Sequence, residues 1–207
     1  MKITAHGRFS FKYNKEVMEK ITFNAFADVR IETYTKEATS FPSGEEVNDF
    51  EVTALANHPL LVNTADEVPF FFFDLKAHLI GAAALSKEET LKEYLKEKMH
   101  GVMVQYNLNS DDIIVYLGPA LTFSHTLVDR PTLLKVMDMG YRAAAKRTSG
   151  VDFFDVPVMN VLMLRNLGIP AKNIYIDAHD TFECDNLLYS KLRGDKKTNP
   201  NVIELLK

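Results

Sequence analysis

Two near-continuous apolar segments, residues 68–73 and 78–85, constrain this chain more than any other feature. Only the short stretch Asp74-Leu75-Lys76-Ala77 separates them. A strand with one wet face alternates apolar and polar side chains, because successive side chains point to opposite faces. An unbroken run of Val, Phe, Leu, Ile and Ala therefore belongs to a strand covered on both faces. The fold must supply a layer on either side of this pair. Each run also falls well short of the ~20 residues of a membrane-spanning helix.

The flanking segments supply candidate layers. Segment 7–13 alternates around Phe9 and Phe11, and 28–34 around Val29, Ile31 and Thr33, as half-buried strands do. Strands are also predicted at 60–63, 112–117 and 174–176, with a turn at 41–45. Ser86 and Glu89 form a capping-box pattern, and Leu91, Leu95 and Met99 follow as an apolar helical stripe. Pro131 suits the first turn of a helix predicted to run to about Lys146. Asp155 and Pro157 open another, which Gly168 and Pro170 close. The expected fold is α/β (α+β): a mixed-sheet layered domain with helices against sheet. No repeat, linker or low-complexity tract divides residues 1–207, so a single domain is expected.

Charge and cysteine usage narrow the function classes. A net charge of -4 and a pI near 5.9 argue against nucleic acid as a partner. The one dense basic run, Lys191, Arg193, Lys196 and Lys197, reads as a solvated tail or, less readily, a phosphate site. Cys184 is the only cysteine, which fits a reducing compartment. Residues 1–6 have no apolar segment of the signal-peptide type behind them. A cytoplasmic protein without membrane association is expected.

Several segments, in order, resemble the laccase-domain family, also described as polyphenol-oxidase-like proteins and purine nucleoside phosphorylases. Residues 49–53 (Asp-Phe-Glu-Val-Thr), Pro59 to Val62 and Thr64-Ala65-Asp66-Glu67-Val68-Pro69 are similar to its D-A-L-V-T and T-A-D-C-x-P. Residues 79–84 resemble the strand that in the family ends in the His of H-A-G-W-R-G. Gly118-Pro119-Ala120-Leu121 is similar to G-P-A-I. Asp155-Val156-Pro157 with Leu167-Gly168-Ile169-Pro170, then Thr181 and residues 188–194, follow its later motifs. The resemblance is clearest over residues 49–194, and the first 48 match poorly.

What the resemblance implies is a fold, a purine-nucleoside-processing activity and a zinc or copper ion held by one Cys and two His. Here Glu67 falls on the Cys, Ala84 on one His and Tyr34 near the other. Thiolate and imidazole are the donors such an ion needs. No metal cofactor is therefore expected.

The remaining candidates are few. His6, His58, His78, His100 and His179 show no metal-ligand spacing, and the first impression of each loop or helix-end histidine is structural. His125 lies just past Gly118-Pro119, where the family runs a loop near its active site, and is a candidate acid or base. Glu67 is the second catalytic candidate; Asp66, Lys191 and Arg193 are candidate ligand-binding residues. If extended, Asp66 and Glu67 point to opposite faces and are not a carboxylate pair. Glu67 is expected to form a salt bridge with Arg193 or Lys191. Acids beside Cys184 should suppress its thiolate. Two functions stay open. One is a divergent member that binds a small ligand, such as a purine nucleoside, or a protein partner, without metal-dependent activity. The other is a nucleoside-processing enzyme, by phosphorolysis or deamination, with a rearranged site.

Overall fold

The computed structural model describes residues 18–24 and 26–207, so the strand expected at 7–13 lies outside the described residues, as does His6. In chain order the strands and helices are β1 (Lys20–Phe23), β2 (Val29–Tyr34), β3 (Glu45–Glu46), β4 (Phe50–Thr53), β5 (Leu60–Thr64), β6 (Val68–Asp74) and β7 (Leu79–Leu85). Then follow α1 (Lys87–Thr90), α2 (Tyr94–Gln105), β8 (Ile114–Leu117), α3 (Arg130–Asp138), β9 (Ala145–Thr148), β10 (Val151–Phe154), α4 (Val156–Asn166), β11 (Ile174–Ile176) and β12 (Asn199–Leu205).

Two five-stranded mixed sheets result, ordered β1-β2-β12-β5-β3 and β11-β8-β6-β7-β4, with β9 and β10 as a separate hairpin. Each sheet carries one parallel pair, β3 with β5 and β8 with β11. The apolar pair identified from sequence forms the hairpin β6–β7, closed by Asp74, whose Oδ1 accepts from the N–H groups of Lys76 and Ala77 at 2.9 and 3.1 Å. Phe70 and Phe72 face a helical layer through Leu95, Met99, Met159 and Met163. Phe71 and Phe73 face the other sheet through Ile31, Leu60, Val62 and Ile203. All four phenylalanines are fully buried, each worth about 2 kcal/mol in transfer alone. The order of layers is sheet, sheet, helices, and the mixed α/β expectation holds.

The approach of β7 to β6 depends on Gly81, which pairs with Phe72. A Cβ there would lie 2.2 Å from the Phe72 ring and 2.9 Å from the Glu51 carbonyl oxygen. Gly81→Ala is expected to destabilise the protein by about 1–3 kcal/mol through overpacking, read as a lower midpoint in urea with an unchanged m-value.

Three expectations need correction. The helix opened by Pro131 ends at Asp138, because Gly140 turns the chain at φ +92°, and segment 145–154 is a hairpin instead. The stripe Leu91, Leu95, Met99 spans two helices, broken where Glu93 adopts φ +56°. The basic run near the C-terminus is no tail: it precedes β12, the central strand of its sheet. No helix among the described residues is long and apolar enough to cross a membrane.

Candidate functional site

Four loops converge at one end of the layers and enclose a cleft of about 400 Å³. The bend 65–67 between β5 and β6 contributes Asp66 and Glu67. The start of α1 contributes Ser86, Lys87 and Glu88, the loop after β8 brings His125 and Leu127, and the loop before β12 brings Lys191 and Leu192. Leu85, Leu121 and Val156 complete an apolar lining. A larger surface groove of about 630 Å³ lies between β4 and α2, and none of the predicted site residues line it.

Local rules place each wall. The capping box forms as expected: Ser86 Oγ accepts from Glu89 N at 3.2 Å, and Glu89 Oε2 accepts from Ser86 N at 2.8 Å. It fixes Lys87 and Glu88 at the cleft edge. Gly118 permits the chain to leave β8 against Pro69, since a Cβ there would meet the Pro69 ring at 2.7 Å. The loop then returns to the bend through Leu121 N, which donates to Asp66 O at 3.2 Å.

Asp66 is a staple. Its carboxylate accepts from Thr181 Oγ1 at 2.8 Å and from Leu192 N at 2.7 Å, tying the loop before β12 to the bend. The pair Asp66-Glu67 lies in a bend, not an extended strand, so the opposite-face argument does not apply. Glu67 curls back instead, and its Oε2 accepts from the N–H groups of Ala65 and Asp66 at 3.1 and 3.2 Å. Burial alone would push the Glu67 carboxyl up. The backbone N–H groups of Ala65, Glu67 and Asp66 and the nearby Lys191 charge overcome that and hold it below its ordinary 4.5. Glu67 is thus a half-buried, ionised carboxylate.

The expected salt bridge is replaced by these backbone bonds. Arg193 points elsewhere: its guanidinium donates to the carbonyls of Thr181, Phe182 and Leu188 at 3.0, 2.8 and 2.5 Å, and to Asp195 Oδ2 at 2.5 Å. A planar fork with this many acceptors binds loops together and has no place in the cleft. Lys191 does line the cleft.

His125 lines the cleft too, and its partners are carboxylates, not backbone. Nδ1 lies 3.1 Å from Asp180 Oδ2, Nε2 lies 3.1 Å from Glu183 Oε1, and the ring packs on Phe182 at 4.5 Å. It can donate to both only when doubly protonated. Asp180, with a side chain 7% exposed, also accepts from Thr122 N and Oγ1 at 2.9 and 2.5 Å and from the N–H groups of Phe182 and Glu183 at 2.8 and 3.1 Å. Burial opposes its charge, yet these bonds hold the carboxyl below 3.8. Neither Asp180 nor Glu183 was singled out from sequence as a partner of His125. Cys184 behaves as expected, with burial first and then the charges of Asp180, Asp177 and Glu183 pushing its thiol above 9.0.

The positions matching the family's metal ligands do not fit a zinc or copper ion. Glu67 spends one carboxylate oxygen on backbone N–H groups. Ala84, in β7 opposite Pro69, offers a methyl group. Tyr34 is buried in β2, where its hydroxyl donates to Glu32 Oε2 at 2.7 Å. Among the described residues no three His, Cys, Asp or Glu side chains are grouped to hold a metal.

Comparison with known proteins agrees with this architecture. A protein named purine nucleoside phosphorylase YlmD from Bacillus subtilis is 23% identical over 185 residues, covering 84% of this chain and 66% of that protein. Its Staphylococcus aureus namesake is 29% identical over 131 residues, covering 61% and 47%. The chain thus spans two thirds or less of the length of these relatives. The crystal structure of YlmD from Geobacillus stearothermophilus superposes with a TM-score of 0.80 at 17% identity, over 94% of this chain and 98% of that one. That of the hypothetical protein YfiH from Bacillus licheniformis gives 0.79 at 16%, over 93% and 98%. The family model described as multi-copper polyphenol oxidoreductase laccase matches residues 15–202, extending the resemblance well upstream of residue 49, and to this family the chain belongs.

Proposed function

We propose that the protein binds a purine nucleoside in the cleft and does so without the metal-dependent chemistry of its family. The observation that supports this most is Glu67: an ionised carboxylate in the cleft lining, pinned by backbone N–H groups. A charge-assisted acceptor of this kind suits the N–H edge of a purine or the hydroxyls of a ribose. The volume of about 400 Å³ falls within the range of small-molecule sites. Relatives named purine nucleoside phosphorylase suggest the ligand class.

A second reading, phosphorolysis of that nucleoside, is favoured by Lys87 and Lys191, two cations that line the same cleft and suit a phosphate. Titration calorimetry with inosine and adenosine tests the first reading, and chromatography for free base in the presence of inorganic phosphate tests the second. Saturable binding with no base released is the expected result. Absence of binding by either nucleoside at millimolar concentration defeats the proposal, and steady base release replaces it with the phosphorylase.

A further inference from the structure

The cleft carries two apolar side chains held out into solvent on anchored backbone. Leu127 is 61% exposed and Leu192 is 54% exposed, and both line the cleft. Neither exposure reflects a loose loop. Leu192 N donates to the carboxylate of the Asp66 staple at 2.7 Å. Leu127 forms a β-bridge with Phe153, flanked by Val128 N to Asp152 O at 3.1 Å and Phe154 N to Thr126 O at 3.0 Å. The protein fixes the main chain at both places and points a four-carbon side chain away from its own core.

The same cleft also carries charge, with Glu67 and Lys191 in its lining. A cleft lined by both exposed leucines and charged side chains suits a ligand that is apolar on its faces and polar at its edge, which is the description of a planar heteroaromatic ring. We propose that Leu127 and Leu192 form a clamp for the faces of the purine base and so determine the preference of the site for it. The inference rests on the nucleoside reading above and adds which part of the ligand lies where. A phenolic ring shares the same chemistry, so the test includes one.

The experiment titrates the whole chain with inosine, with hypoxanthine alone and with catechol, by calorimetry. Leu127→Ala and Leu192→Ala, singly and together, are compared with Leu192→Phe. Each alanine is expected to weaken hypoxanthine and inosine about tenfold, the loss of a largely buried leucine contact. The double variant should show no measurable hypoxanthine binding, and Leu192→Phe should tighten it. Melting temperatures should not change, because both side chains are exposed in the free protein. Inosine bound equally by the wild type and the double alanine variant overturns the clamp and leaves the nucleoside reading standing. Hypoxanthine bound without inosine supports the clamp and sinks the nucleoside reading. Catechol preferred over hypoxanthine, or neither bound, overturns the assignment to the base.

Discussion

Replacing Asp180 by alanine is expected to lower the melting temperature by about 10 °C, more than any other single substitution at the cleft. The carboxylate is almost fully enclosed and accepts from Thr122, Phe182 and Glu183 backbone N–H groups, the Thr122 hydroxyl and His125. Its removal strands several donors at once and takes from the His125 ring one of its two carboxylate partners. Loss of such a buried acceptor costs about 3–5 kcal/mol, and a chain of this size melts about 2–4 °C lower per kcal/mol. The effect should depend on acid. Because the native carboxyl titrates below its ordinary 3.8, the unfolded chain binds the proton first. The stabilisation is therefore complete above pH ~4 and disappears as pH falls through the lower native value. Thermal melts of wild type and Asp180→Ala should differ most at neutral pH and converge in strong acid; a constant gap at every pH would show that the charge is not responsible.

The second large effect is on ligand affinity. Glu67→Gln keeps an oxygen for the N–H groups of Ala65 and Asp66 but removes the charge. Charge-assisted bonds exceed neutral ones by about 1–2 kcal/mol, so the nucleoside affinity should fall about 5–30-fold with the melting temperature little changed. The pH profile follows from the direction of the shift. With the carboxyl held below 4.5, wild-type binding should be flat from pH ~5 upward and weaken only as pH drops through the native value. The glutamine variant should lack that acid limb. Equal affinities in the two proteins would remove Glu67 from the site.

How much of this was legible in the sequence depended on how local the determining physics is. Residues 68–85 revealed their two-sided burial directly, because an unbroken apolar run has no other soluble environment. The capping box at Ser86 was legible for the same reason: its partners are three residues apart. β12 was not, since Asn199, Pro200 and Asn201 are poor strand formers. They belong in a strand only because the buried Asn side chains bond to Thr64, Tyr189 and Val62 on neighbouring segments. The hairpin 145–154 was missed because its turn, Ser149 at φ +51° and Gly150 at φ +83°, follows a helical pattern that seemed to continue. In the site, Glu67, Lys191 and His125, singled out through the resemblance, line one cleft. The resemblance could not place Asp180, which is 55 residues from His125. Arg193 was misread because backbone carbonyls, its main partners, leave no trace in a side-chain pattern.

The position of β12 sets the order in which the molecule can assemble. This strand is the last of the twelve among the described residues, yet it separates β2 from β5, and its Asn201 bonds to Thr33 across 168 residues. The β6–β7 hairpin and its helices can gather from near neighbours. The sheet that covers their other face has no centre until the end of the chain arrives. Contacts of such long separation are slow to form, so this sheet closes late. The cover over Phe71 and Phe73 is thus drawn from both sides of β6 in the sequence: Ile31, Leu60 and Val62 precede it, and Ile203 comes only with β12.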